Sequence, residues 1–278
     1  NKGLFVLDST RGQQTIDMNG AYICPGFIDA HMHVESTMLP PSSFASLSVP
    51  HGTTTTILDP HEIANVMGIK GIELLYKDAQ EIPLDCFFMA SSCVPASPLE
   101  TSGASLSASD LEPLFEKKIV IGLAEMMNFP GVLNNEPAIM EKIKLGLKYG
   151  LVDGHCPGLR GNALQKYIDT GISSDHESTT LEEVEEKLER GMQIYIREGS
   201  AAKNLEALLP AINKHNLHKF CFCTDDRHPY DLKHEGHIDN IIRKSIRLGL
   251  KPLDALKIAT INCAKHFGLQ HLGSIENG

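Results

Sequence analysis

The chain has 278 residues, 42% of them hydrophobic, which suits one domain of about 250 residues with a large core. A net charge of −10 argues against nucleic acid or an anionic membrane as the main partner. No apolar run approaches the ~20 residues of a membrane span, and no signal-peptide pattern opens the chain. Seven cysteines, an odd number scattered through apolar segments, read as reduced cytoplasmic thiols rather than a disulfide framework.

Residues 1–20 are strand- and turn-like and carry no chemistry. An apolar run over 21–28 predicts a short buried strand that leads into Asp29, His31, His33 and Glu35. In an extended chain His31 and His33 point to the same side, so two imidazoles converge at a strand tip, a natural half of a metal site. A helix is predicted over 42–49. The β-branched run 53–59 forms a second strand ending at Asp59-Pro60-His61-Glu62, and a helix follows over 63–79. Strand three, 84–91, ends at Ser91-Ser92-Cys93, and a helix covers 109–116. Strand four, 118–124, delivers Glu125, and helix 136–149 precedes strand five, 151–154, which ends at His155. Helix 162–169 leads to strand six, 171–175, and His176; helix 180–190 leads to strand seven, 192–196, and Arg197-Glu198. Helix 204–214 precedes strand eight, 219–224, which ends at Asp225-Asp226-Arg227, and two further helices span 237–248 and 253–267.

Eight strands alternating with helices imply a parallel sheet closed into a (β/α)8 barrel, with polar strand ends on the rim where such barrels keep their chemistry. An open doubly wound sheet is the alternative, and it would gather its ligand residues at a single switch point. His31, His33, Glu125, His155, His176 and Asp225 lie at five different strand ends. These four imidazoles and two carboxylates suffice for two divalent ions. The other polar residues have plainer readings. Asp29 is structural or supports a histidine ligand. His51 belongs to a turn, His61 touches substrate or an accessory metal, and His215 and His218 are surface residues. His234 and His237 cap or pack, and Arg197-Glu198 is either a site pair or a structural ion pair. Cys221 and Cys223, alternating with Phe220 and Phe222, are packing residues, and the cytidine-deaminase signature is absent.

The segment Pro25-Gly26-Phe27-Ile28-Asp29-Ala30-His31-Met32-His33 resembles the first-strand signature of the amidohydrolase superfamily, metal hydrolases on a distorted TIM barrel. Many of its members bridge two metals with a carboxylated lysine on strand four. This chain has Glu125 there, in Gly122-Leu123-Ala124-Glu125, and with Asp59-Pro60-His61-Glu62, Gly154-His155-Cys156-Pro157-Gly158 and Thr224-Asp225-Asp226-Arg227 it is similar to the adenine deaminase family. The resemblance implies a barrel over 25–270. It also implies a lead-in from a truncated small β-domain over 1–24 and a truncated return to that domain over 271–278. It implies hydrolysis of adenine to hypoxanthine and ammonia by metal-activated hydroxide attacking C6. His31, His33, Glu125, His155, His176 and Asp225 would hold two divalent ions, manganese or iron with zinc as an alternative. Asp225 is the implied proton shuttle, and Glu125 the implied bridge. Glu35, Glu62 or Glu198 would protonate the ring, with Ser92, His61, Arg160 and Arg197 as further substrate contacts. The implied setting is cytoplasmic, with a small purine base as partner and room for a homo-oligomer. The rival readings are a cyclic-amide hydrolase of the same superfamily, against which Glu125 speaks, and a catalytically dead barrel used for binding.

Overall fold

The computed structural model describes residues 16–97 and 99–276. It contains eight strands: β1 (Phe27–Met32), β2 (Thr53–Leu58), β3 (Asp85–Ala90), β4 (Val120–Met126), β5 (Leu151–Gly154), β6 (Ser174–Asp175), β7 (Gln193–Arg197) and β8 (Phe220–Cys223). The helices are α1 (Pro41–Ser48), α2 (His61–Met67), α3 (Ile69–Asp78), α4 (Ala108–Glu116), α5 (Phe129–Leu133), α6 (Pro137–Tyr149), α7 (Gly161–Asp169), α8 (Leu181–Glu189), α9 (Leu205–Leu208), α10 (Pro229–His234), α11 (Ile238–Arg247), α12 (Pro252–Ile258) and α13 (Ile261–His266).

All the strand pairs are parallel. β1 to β5 form one sheet in chain order and β6 to β8 a second. The second sheet meets β1 through an isolated bridge between Met32 and Asp225. The Asp225 amide donates to the His31 carbonyl at 3.0 Å, and the His33 amide to the Asp225 carbonyl at 3.1 Å. Closure of β8 onto β1 rules out the open doubly wound sheet and gives the distorted (β/α)8 barrel. The strands bury both faces, as a helix-wrapped parallel sheet requires. Cys221 and Cys223 join Ile28, Ala30, Ile57 and Tyr195 in the inner core, while Phe220 and Phe222 pack outward with Ile238 and Ile241 of α11.

Several boundaries differ from the sequence expectation. The first strand starts at Phe27 rather than residue 21, because Tyr22, Ile23 and Cys24 are exposed and pair with no strand. Residues 16–26 hold no strand; the remaining lead-in, 1–15, and residues 277–278 lie outside the described residues. The single helix predicted over 63–79 is two, broken at Gly68 with φ +61° and ψ −145°, a backbone region open to glycine alone. Helix 204–214 shrinks to α9 and a 3-10 turn, Leu209–Ala211, where Pro210 has no amide to continue the ladder. The stretch 253–267 divides into α12 and α13.

The join between the sheets is tight. At the end of β5 a Cβ on Gly154 would sit 2.0 Å from the Ser174 carbonyl oxygen, a backbone atom that cannot swing away. Gly154→Ala is therefore expected to destabilise the fold by about 1–3 kcal/mol or more. At about 2–4 °C per kcal/mol for a chain of this size, thermal denaturation should show the shift, and an unchanged midpoint would contradict this packing.

Candidate metal centre

The strand ends converge at one mouth of the barrel. The His31 ring stacks on His176 with centroids 4.2 Å apart, and His33 lies edge-on to His31 at 4.9 Å. A hydrogen bond holds the far nitrogen of His33. His33 Nδ1 lies 2.8 Å from the Asp59 carbonyl oxygen and donates to it, which leaves the Nε2 lone pair facing the mouth. His31 Nδ1 lies 4.0 Å from Asp153 Oδ2, and His31 Nε2 is buried with no hydrogen-bond partner. Asp29 supports the backbone rather than the ring of a predicted ligand: its Oδ1 accepts from the amides of His31 (3.3 Å) and Thr224 (3.1 Å). Its Oδ2 pairs with the buried His237 at 3.0 Å; His237 stands at the N-cap position of α11, where its ring packs edge-on to Phe44 and makes no capping hydrogen bond.

Glu125 occupies the centre, and its two oxygens face different histidines. Oε1 is 3.2 Å from His33 Nε2 and 3.8 Å from His31 Nε2; Oε2 is 2.5 Å from His155 Nδ1 and 3.3 Å from His176 Nε2. Burial alone would raise the Glu125 carboxyl, but hydrogen bonds from His155, His176 and His33 hold it well below the ordinary range. Burial alone would likewise depress His33 and His176. The Asp225 and Glu125 carboxylates override it, lifting His33 well up and His176 to about 9. Such a field attracts cations, protons included.

Asp225 completes the ring from β8 with φ +57°. Its Oδ1 is 3.5 Å from His31 Nε2 and 3.2 Å from His33 Nε2, and its Oδ2 accepts from Arg197 Nη1 at 2.6 Å. Burial would raise this carboxyl as well, and the two histidines and His176 hold it far down. All six predicted ligand residues thus share one pocket. His31 Nε2 has no partner, two carboxylates lie among four imidazoles, and the donors are nitrogen and oxygen throughout. This set fits divalent cations such as manganese, iron or zinc.

Two residues of the cluster escaped the sequence reading. Asp59 Oδ2 lies 3.1 Å from His61 Nδ1, and His61 stacks on His33 at 4.2 Å and reaches Glu125 Oε1 at 3.5 Å. Glu177 lies 3.6 Å from His176 and 3.8 Å from His155. His61 therefore joins the site. Glu35 is next to it: Oε1 accepts from the Ile63 amide at 3.1 Å, Oε2 is buried and unpartnered, and burial pushes the carboxyl up to about 7. Glu62 is exposed and, with His61, Asn65, Cys93, Ala96 and Glu100, lines a pocket of about 280 Å³ at the mouth.

Other expected substrate contacts are occupied elsewhere. Arg197 binds both Glu177 oxygens and Asp225, so its guanidinium is a structural clamp rather than a free ring contact. Glu198 accepts from the Leu205 amide at 3.1 Å and pairs with Lys244 at 2.7 Å, facing the helical layer. Arg160 is exposed and bound to Glu186 at 3.0 Å. The Ser92 hydroxyl donates to the Glu125 carbonyl, so it anchors the end of β4.

Comparison with known proteins agrees with this arrangement. The model of the amidohydrolase family matches residues 22–278. The chain is 52% identical over 270 residues to an adenine deaminase of Thermosipho africanus, covering 96% of this chain and 47% of that protein. It is 50% identical over 273 residues to an adenine deaminase of Kosmotoga olearia, covering 98% and 47%. The chain thus spans about half the length of the curated relatives it matches. Among solved structures, a crystal structure of an adenine deaminase superposes with a TM-score of 0.67 at 17% identity, covering 98% of this chain and 79% of that one. The N-acetylglucosamine-6-phosphate deacetylase of Pasteurella multocida gives 0.64 at 16% identity, covering 98% and 84%. Those two likenesses concern the fold. The match across 22–278 carries the membership: the chain belongs to the amidohydrolase family.

Proposed function

We propose that this chain is the hydrolytic barrel of an adenine deaminase, converting adenine and water to hypoxanthine and ammonia. The observation that carries the proposal is the Glu125 carboxylate, set between two groups of histidines where one oxygen can serve each of two ions. His31, His33 and Asp225 would hold one divalent ion and His155 and His176 the other, manganese or iron before zinc. Ions bound there would lower the pKa of a ligated water toward neutrality and stabilise charge developing on the substrate. The relatives named adenine deaminase, about half identical across nearly the whole chain, support the substrate.

Asp225 would take a proton from the attacking water and pass it to the departing amine. Arg197 fixes one oxygen and leaves the second facing the histidines. In the net reaction a C6–O bond forms and the C6–N bond breaks, so ammonia leaves with a proton from water. Glu35, anchored by one oxygen with the other unpartnered, is the best placed of the three acidic residues to donate to a ring nitrogen. His61 and Glu62 border the adjoining pocket and would contact the base. No P-loop or G-x-G-x-x-G motif is present to cradle a phosphate, which favours the free base. The seven unpaired cysteines support a cytoplasmic setting; no helix among the described residues is long and apolar enough to cross a membrane.

The test is ammonia release by the metal-loaded protein offered adenine, adenosine, AMP and dihydroorotate in parallel. Adenine alone should be turned over. Preference for adenosine or AMP would overturn the substrate assignment, and turnover of dihydroorotate would move the chain to the cyclic-amide branch.

A further inference from the structure

A buried lysine behind the metal centre plays no part in the reaction proposed above. Lys187 of α8 is fully buried. Its Nζ lies 2.9 Å from the Cys156 carbonyl oxygen, 3.0 Å from Asp175 Oδ2, 3.0 Å from Ser178 Oγ and 2.7 Å from Glu183 Oε1. Both carboxylates in turn hold backbone. Asp175 Oδ1 accepts from the Cys156 amide at 2.9 Å, and Oδ2 from the amides of Glu177 (3.2 Å) and Ser178 (2.9 Å). Glu183 accepts from the amides of Gly158 (2.8 Å) and Thr179 (3.3 Å).

These acceptors and amides lie on the two segments that carry His155 and His176. The segments lie on opposite sides of the break in the sheet, because β5 ends the first sheet and β6 begins the second with no ladder between them. Before the histidines, the Ser173 amide donates to the Val152 carbonyl at 3.3 Å and the Gly154 amide to the Ser174 hydroxyl at 3.1 Å. Past those contacts, the side chains of Asp175, Glu183 and Lys187 tie the two segments together. Asp175 and Glu183 both come from the β6 and α8 side and reach across the break to the Cys156 and Gly158 amides; without the ammonium these two buried carboxylates would be uncompensated, which drives them apart or into protonation and loosens that hold. The other half of the centre, His31, His33 and Asp225, is built on β1 and β8 and receives no hydrogen bond from Lys187.

We propose that Lys187 is a positioning residue: its ammonium clamps the ends of β5 and β6 across the sheet break and sets the geometry of the His155–His176 half of the centre. This rests on the reading that these histidines hold an ion. It goes beyond that reading in assigning the two halves separate supports, so that one can be loosened without the other.

The experiment titrates metal-free wild-type, Lys187→Met and Glu183→Gln proteins with Co2+, following binding by calorimetry and coordination by the visible absorption band. Wild-type protein should take up two ions per chain. Lys187→Met should keep one site unchanged and bind the second about 10–100-fold more weakly, the usual scale for loss of a support behind a metal ligand, with a changed visible band. Glu183→Gln should move the same site by less. Two unchanged affinities and an unchanged band in folded Lys187→Met would overturn the proposal. So would equal weakening of both sites, the mark of a lysine that merely stabilises the fold. Should Lys187→Met not fold, Glu183→Gln decides on the same criteria. Wild-type protein that takes up no Co2+ would overturn the metal reading itself, a result distinct from two ions bound with an indifferent lysine.

Discussion

Asp225→Asn is expected to leave the barrel folded and to cut ammonia release from adenine by about 10²–10⁴-fold, the scale of losing a general acid-base group. Asparagine suits this test for a backbone reason as well as a chemical one. Asp225 has φ +57°, a left-handed conformation that Asn tolerates far better than Ala, and its amide and carbonyl close β8 onto β1. The amide side chain keeps the size but cannot accept and return a proton, and it removes the negative partner of Arg197. Glu177 still binds that guanidinium, so the arginine is not left buried without a counter-charge. Loss of a carboxylate ligand will also weaken metal binding, so turnover must be compared at matched metal content. Near wild-type turnover in a fully metallated variant would remove Asp225 from the proton path.

Glu125→Gln is expected to abolish tight binding of at least one ion. Supporting residues behind a ligand commonly cost 10–100-fold in metal affinity, and a residue whose oxygens face both halves of the centre should cost at least about that much. The physical reason is the charge count. Five imidazoles, those of His31, His33, His61, His155 and His176, lie within 3.8 Å of this carboxylate, and its negative charge is what makes the pocket favourable to cations. The same substitution should release protons from the metal-free protein. Glu125 is among the carboxylates that lift His33, and His176 to about 9, so both imidazoles should titrate lower in the variant. Because these histidines are raised in the folded state, the stability their protonation contributes is present below about pH 6.5. The His176 share is lost as pH rises through about 9, and the variant should lose it earlier. Histidine NMR titration of apo protein checks the shift, and elemental analysis checks the metal. Two ions bound with wild-type affinity would contradict the bridging role.

The architecture was legible because nearly every strand ended on a polar residue, a pattern tied to the rim of a barrel and independent of exact strand limits. His31 and His33 were legible from period two, since residues two apart on a strand share a face. The same rule explains why Arg197 and Glu198 were not resolved. As neighbours they point oppositely, and sequence does not say that Arg197 turns to Asp225 while Glu198 turns to Lys244. Asp59 and Glu177 were missed because each owes its place to a neighbour in space: Asp59 to His61 and the Ser91 hydroxyl, Glu177 to Arg197. Lys187 was hidden in the charge-dense run 182–190. That run reads as a solvated helix face, yet Glu183 and Lys187 lie one turn apart on its buried side.

The most direct test of the account is an anomalous difference map from crystals of the protein grown with Mn2+. Two peaks should flank the Glu125 carboxylate, one within bonding distance of His31, His33 and Asp225 and the other of His155 and His176. A single peak, or peaks that leave Glu125 bound to neither ion, would contradict the two-ion centre on which the proposed hydrolysis depends.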